Sequence, residues 1–183
     1  MAGSKVGIVN LALARLGEHP IQGLDEGTVA ANTAALLFNS TRQATLRDFN
    51  WGFAMRTATL ARESALPADG GYAYALPSLC LRAVRLLSGD SFFIRGNSLI
   101  TSAPSATLEY ISDIDDVAMF DSKFVEAFSY KLASELAMSV KGSAELMSSY
   151  LNAYQNFIRQ AATESTGERH DTLPDNPYVD ARF

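Results

Sequence analysis

One change of period constrains this chain more than any other feature. Upstream of Trp51, the only tryptophan, apolar side chains recur at helical spacing; from Phe53 onward they alternate. Residues three and four apart share a helix face, whereas residues two apart share a strand face. Trp51-Gly52-Phe53-Ala54 therefore marks the joint where a helical segment hands over to a sheet. Asn50 and Gly52, both weak helix formers, bracket the tryptophan and end the helix.

Two helices are expected before the joint. Residues 4–16 carry Val6, Val9, Ala12 (or Leu13) and Leu16 at helical spacing, behind Ser4 as N-cap. Gly17 stops that helix and Pro20 lies beyond it. Residues 17–27 read as a loop anchored by Ile21 and Leu24. Residues 28–49 read as a longer helix, with Ala31, Ala35, Phe38, Leu46 and Phe49 along one stripe. Its alanines between 30 and 35 suit a close helix–helix approach. Arg42 interrupts the stripe, and two readings of it stand. Its stem lies along the apolar face while its head reaches water, or its guanidinium stacks on Trp51 or pairs with a carboxylate at a subunit contact.

The middle third reads as strands. Phe53, Met55, Thr57 and Thr59 alternate with Ala54, Arg56, Ala58 and Leu60. A loop at 64–71 precedes a short extended piece, 72–76, closed by Pro77. Residues 79–87 form a strand with Leu79, Leu81, Ala83, Arg85 and Leu87 on one face and Cys80, Arg82, Val84 and Leu86 on the other. Phe92-Phe93-Ile94 and Leu99-Ile100-Thr101 flank Gly96-Asn97, a hairpin signature. Residues 107–111 are the last strand. A small, mostly antiparallel sheet is expected.

Helical spacing then returns. Asp121 caps a third helix starting at Ser122, with Phe124, Phe128, Leu132, Leu136 and Val140 at steps of four, ended by Gly142. Residues 143–162 form a fourth helix through Leu146, Tyr150, Tyr154, Phe157 and Ala161. So short a connection between amphipathic helices makes an antiparallel hairpin. The fold class expected is α+β: a helical bundle (4–50 and 121–162) with a β-rich insert (53–111), one domain over 1–162. Residues 163–183 read as an extended arm, polar and interrupted by Pro174 and Pro177, yet finishing in Tyr178, Val179 and Phe183. That arm docks on a neighbour or partner, or it is plain tail, disordered or packed on its own chain.

Composition excludes several classes. A formal net charge of −5 argues against nucleic acid as the main partner, because phosphate binders need a basic surface. One cysteine, Cys80, allows no disulfide within the chain and no multi-cysteine metal site; it is expected to be a small buried residue. The N-terminus has no signal-peptide profile, and no apolar run is long enough for a membrane span, so synthesis in a reducing cytoplasm is expected. His19 and His170 have no Cys or His at metal-ligand spacing, and the chain has no G-x-S-x-G, phosphate-loop or dinucleotide glycine motif. The best enzyme candidate is the carboxylate series Glu109, Asp113, Asp115, Asp116. Two such acids could serve a glycosidase or hold Mg²⁺ or Ca²⁺. The series lacks the glycine and distal glutamate of a calcium loop, and acids preceding a helix suit its N-terminus. No enzyme activity, cofactor or metal is expected.

A series of residues along most of the chain carries a resemblance. It runs through Val9-Asn10-Leu11-Ala12-Leu13, Leu16-Gly17, Ile21 and Leu24-Asp25, then Arg42, Leu46 and Trp51-Gly52-Phe53-Ala54 with Arg56 and Leu60. It continues in Tyr72-Ala73-Tyr74-Ala75-Leu76-Pro77, Cys80-Leu81-Arg82, Phe120-Asp121, Phe124-Val125, Leu132-Ala133, Glu135-Leu136-Ala137 and Leu173-Pro174-Asp175. In that order these residues resemble the tail tubular protein A family of short-tailed bacteriophages, the head-to-tail adaptors also found in prophages. The resemblance implies a structural virion protein at the head–tail junction: a homo-oligomeric, dodecameric ring joining the portal protein to the tail nozzle protein, with genomic DNA passing through its lumen. It implies no membrane partner. A closed ring needs a heterologous interface, for which the alanine-rich second helix, the helical hairpin and the C-terminal arm are candidates, with Arg42, Trp51, Tyr178 and Phe183 as candidate contact residues. An acidic lumen would let DNA slide rather than hold it. The alternatives are a cytoplasmic binding module and a virion-associated glycan hydrolase.

Overall fold

The computed structural model describes residues 3–64, 67 and 70–168. Its architecture is α+β: four helices and two small antiparallel sheets. Helix α1 spans Lys5–Arg15 and α2 spans Val29–Asp48; the Ser4 and Thr28 hydroxyls accept from the amides of Gly7 and Ala31, satisfying donors that a helix start leaves open. Helix α3, Ser122–Lys141, starts at Asp121, whose carboxylate accepts from Phe124 N at 2.6 Å. It stops at Gly142 in the left-handed conformation. Helix α4 is Ala144–Glu168.

Helix α3 is the centre of the helical unit and packs against α1, α2 and α4. It buries Phe124, Ala127, Phe128, Leu132, Ala133, Leu136 and Ala137 completely, on more than one face. Phe124 is the hub of an aromatic cluster, with ring centroids 5.2 Å from Trp51, 5.1 Å from Phe53 and 4.8 Å from Phe120, mostly edge-on. Burial of each such side chain contributes about 1.5–3 kcal/mol.

Two sequence expectations for the helices change. The buried stripe of α2 runs through Ala31, Ala34, Phe38, Thr41, Arg42, Thr45 and Leu46, whereas Ala35 is exposed. Steps alternating between three and four follow the 3.6-residue turn, and a straight step of four from Ala31 drifts off the face. Helix α4 continues six residues past Ala162, so the expected arm does not begin at Thr163. Thr163 donates to the Arg159 carbonyl at 3.0 Å, and no proline lies between Ala162 and Pro174. Residues 169–183, with His170, Tyr178 and Phe183, lie outside the described residues.

The β unit corrects the expectation of a single sheet. A 3-10 turn, Gly52–Ala54, leads into β1 (Met55–Thr59); β2 is Tyr72–Ala75, β3 Cys80–Leu86, β4 Phe92–Arg95, β5 Ser98–Thr101 and β6 Thr107–Ser112. One sheet has the order β1-β6-β3 and the other β2-β5-β4. Tyr74 and Leu99 from the second meet Leu86, Leu108 and Tyr110 from the first, closing a small core of their own with Leu60 and Ala106. The opposite face of the first sheet supplies Ile111, Met55, Leu81 and Val84 to the helical core. The β1-β6-β3 sheet is thus the middle layer between the helices and the second sheet.

The expected faces of β3 are also rearranged. Its register against β6 shifts twice, between Cys80 and Arg82 and between Ala83 and Arg85. Each shift adds one residue to β3, and a bulge re-aims the side chains after it. Leu81 and Val84 therefore face the helices, while Cys80, Ala83 and Leu86 face the β core. Gly96-Asn97 forms the two-residue tip of the β4–β5 hairpin, with Arg95 opposite Ser98 and φ 60° at Gly96. Gly71 (φ 81°) is required for a different reason: a Cβ there would sit 2.6 Å from the Thr101 carbonyl oxygen.

Candidate functional site

Both connections between helical and β units are held by the C-terminal half of α2. Arg42 is 3% exposed. Its Nη1 donates to Asp113 Oδ1 at 2.5 Å and to the Ile114 carbonyl, also at 2.5 Å. The next residue, Gln43, donates to the other carboxylate oxygen of Asp113 at 2.6 Å. Asp113 and Ile114 immediately follow β6, so α2 clamps the chain as it returns from the β unit. The outgoing connection is fixed by Trp51, whose Nε1–H donates to the Thr45 carbonyl at 2.9 Å, and by Asn50, whose Oδ1 accepts from Arg82 Nη2 at 2.5 Å.

These contacts correct the reading in which the Arg42 head reaches water; of the other reading they keep the carboxylate partner, which lies within the chain. Its head neither reaches water nor presents itself to a neighbouring subunit; the charge is neutralised inside the chain by Asp113. A guanidinium so far from water needs such a partner, because an unpaired buried charge is costly. Trp51 is likewise interior, 3% exposed, with Phe49 at a centroid distance of 4.9 Å on one side and Phe124 on another. Within the single chain, Arg42 and Trp51 are buried and join the units. Tyr178 and Phe183 lie outside the described residues.

The carboxylate series disperses. Glu109 pairs with Arg85 at 2.6 Å, Asp113 with Arg42, and Asp116 accepts from Ala118 N at 3.0 Å at the start of a 3-10 turn, Val117–Met119. Asp115 is exposed. Each of the three partnered acids thus has a structural task, and the helix-start role falls on Asp116 and Asp121 rather than Asp113. Among the described residues no group of three or more His, Cys, Asp and Glu side chains is placed to hold a metal ion. His19 is exposed in the loop after α1.

One polar cluster has no local sequence signal. Asp48 Oδ2, at the end of α2, accepts from Lys131 Nζ of α3 at 2.6 Å and from the Tyr154 hydroxyl of α4 at 2.7 Å, joining three helices at one carboxylate. Lys131 also lies 4.8 Å over the Tyr154 ring. Burial, then the Asp48 bond and charge, push the Tyr154 phenol above its ordinary range, so it stays protonated and acts as a hydrogen-bond donor. Cys80 is half-buried, and burial raises its thiol above the ordinary value against the opposing charge of Arg47. A raised thiol is a poor nucleophile.

The outer surface carries apolar side chains on separate elements. Leu36 on α2 is 79% exposed, and Phe93 and Ile94 of β4, Met138 of α3 and Leu151 of α4 are exposed as well. A groove of about 480 Å³ runs between α1 and the start of α3, lined by Leu11, Val117, Phe120 and Val125 with Arg15 and Glu126 at its rim. Among the described residues no helix is long and apolar enough to cross a membrane. Compared with known proteins, the chain matches no family model and no curated protein.

Proposed function

We propose that the chain is a structural virion protein, an adaptor that assembles into a ring joining a phage portal to the tail nozzle and lining part of the DNA channel. The observation that carries this reading is the ordered series of residues shared with the tail tubular protein A pattern. Several of those residues, Arg42, Leu46, Trp51, Ala54 and Phe124, lie where the helical unit meets the β unit. A helical layer against a small sheet layer, α+β, is the architecture the resemblance implies.

Leu36 is the first choice for a subunit contact. It projects from the alanine-rich helix, on the side of α2 away from its buried stripe. The net charge of −5 suits a lumen through which DNA moves without being held.

Native mass spectrometry of the purified protein, alone and mixed with a candidate portal ring, tests the proposal. A ring of copies, free or formed on the portal, is expected. A monomer indifferent to the portal overturns the reading and leaves a binding module of other kind in its place.

A further inference from the structure

We propose that strand β4 is a dimerisation edge. It pairs antiparallel with β4 of a second copy about a two-fold axis at Phe93, with Phe92 of each strand opposite Ile94 of the other. The proposal does not rest on the adaptor reading.

Backbone parity decides which groups of β4 are free. Strands β4 and β5 are joined by the two-residue turn Gly96-Asn97, with Arg95 opposite Ser98. The pair flanking such a turn is hydrogen-bonded, and bonded and non-bonded pairs alternate from there. Arg95 and Phe93 therefore bond to β5, while the N–H and C=O of Phe92 and Ile94 point away from it. The rest of the sheet keeps the same parity. Asn97 turns its carbonyl to Leu76 N on the β2 side, at 3.0 Å. On the far side of β2, the Ala73 carbonyl accepts from Glu63 N at 2.8 Å.

The other three edges are closed or bent. Residues 61–63 cover β2, through Glu63 and through Ala75 N, which donates to the Ala61 carbonyl at 3.0 Å. At the start of β1, Arg56 Nη1 folds back onto the carbonyls of Phe53 and Met55, at 2.9 and 2.8 Å. Strand β3 shifts register twice and carries Arg82 and Arg85. Strand β4 has no register shift, and among the described residues no backbone group bonds to its outer edge. Phe93 and Ile94 are 45% and 43% exposed on it. A straight, apolar, unpaired edge is a template for another strand.

The occupant is a second copy because β4 is complementary to itself. Its free groups, on Phe92 and Ile94, lie symmetrically about Phe93. Setting Phe92 opposite Ile94 of the second copy satisfies the free N–H and C=O of both residues on both strands. Phe93 then faces Phe93 of the second copy at a non-hydrogen-bonded position, where opposed side chains are closest. Arg95 falls opposite Ser91 of the second copy, so no like charges meet. Sliding the register two residues either way carries Ile94 or Phe92 past the end of the opposing strand. The contact is isologous and closes at two copies, unlike the heterologous contact of a ring.

Sedimentation velocity of the full chain at rising protein concentration, together with disulfide trapping, tests this. The parent is expected to show a reversible monomer–dimer step. Ile94→Pro removes an N–H that no bond within the chain uses, and is expected to weaken that step at least about tenfold. Phe93→Cys in a Cys80→Ser background brings two thiols together across the axis, with Cα atoms about 4.5 Å apart and within disulfide range. Mild oxidation is expected to trap it as a covalent dimer. Arg95→Cys in the same background lies about 13 Å along the strand from its image and is expected to stay monomeric. A parent that is monomeric at every concentration overturns the proposal. So does a folded Ile94→Pro protein that dimerises like the parent, or equal trapping of the two cysteine variants. Should Ile94→Pro fail to fold, the two cysteine variants decide. Rings that assemble normally while Phe93→Cys is not trapped overturn the β4 pairing and leave the adaptor reading standing.

Discussion

Arg42 Nη1 lies 2.5 Å from Asp113 Oδ1, and this one pair fastens the helix before the β unit to the chain that leaves it, 71 residues later. The β unit has two covalent connections to the helices, and both are held on the same half of α2. Trp51 and Thr45 fix the way out; Arg42, Gln43 and Asp113 fix the way back. Orientation of the sheets relative to the helices follows from that shared anchor.

Arg42→Ala is therefore expected to destabilise the monomer itself. Removing one partner of a buried ion pair costs about 3–5 kcal/mol; the lower end applies because Asp113 is 21% exposed and water can reach it. Denaturant unfolding of Arg42→Ala, Asp113→Ala and the double variant measures this. The double variant is expected to lose less than the sum of the singles, since each single already breaks the same contact. An Arg42→Ala protein as stable as the parent, but unable to assemble, would return Arg42 to the subunit surface.

Trp51 gives a direct optical readout, being the only tryptophan. Its emission is expected at short wavelength in the folded protein and to shift red in one transition on unfolding. Trp51→Phe keeps an aromatic ring but strands the Thr45 carbonyl, at a cost of about 1–3 kcal/mol. Trp51→Ala also opens a cavity against Phe49 and Phe124 and is expected to cost about 3–5 kcal/mol. Emission typical of exposed indole in the folded protein would contradict the burial of this side chain.

Leu36→Asp separates folding from assembly. The side chain is 79% exposed, so the monomer's stability should stay within about 0.5 kcal/mol of the parent. Ring formation, alone or on the portal, should be lost. Rings of normal size from Leu36→Asp would move the subunit contact elsewhere on the surface.

Cys80 should react slowly. Its thiol is raised by burial, so the folded state carries less thiolate than the unfolded chain at any given pH. Alkylation by iodoacetamide is expected to be slower in native protein than in urea-unfolded protein at the same pH. The linkage has a definite sign: the folded state holds the thiol proton more tightly, so the group's contribution is intact below the unfolded thiol value. It is lost as pH rises through that value toward the folded one. Native reaction as fast as unfolded reaction would overturn the assignment.

The sequence by itself determined everything that local chemistry encodes. Ser4 and Asp121 cap their helices because their oxygens satisfy amides three residues on. Gly142 ends α3, Gly96-Asn97 turns the hairpin, and the change of period at Trp51 places the joint. The exposed groove rim and the Asp48–Tyr154–Lys131 cluster left no such trace, because their members come from different helices. Only the tertiary structure decided which residues meet across long separations. Arg42 has no carboxylate near it in sequence, and its pairing with Asp113 exists once the β unit has folded back onto α2. Two bulges in β3 send Leu81 and Val84 to the helices, against the alternation that their spacing predicts, because bulges depend on the partner strand β6. Strand order, and with it the split into two sheets around a separate core, is likewise a choice among long-range pairings. Hydrogen bonds along a chain are set by neighbours, whereas burial and ion pairing are set by whatever the whole fold brings alongside.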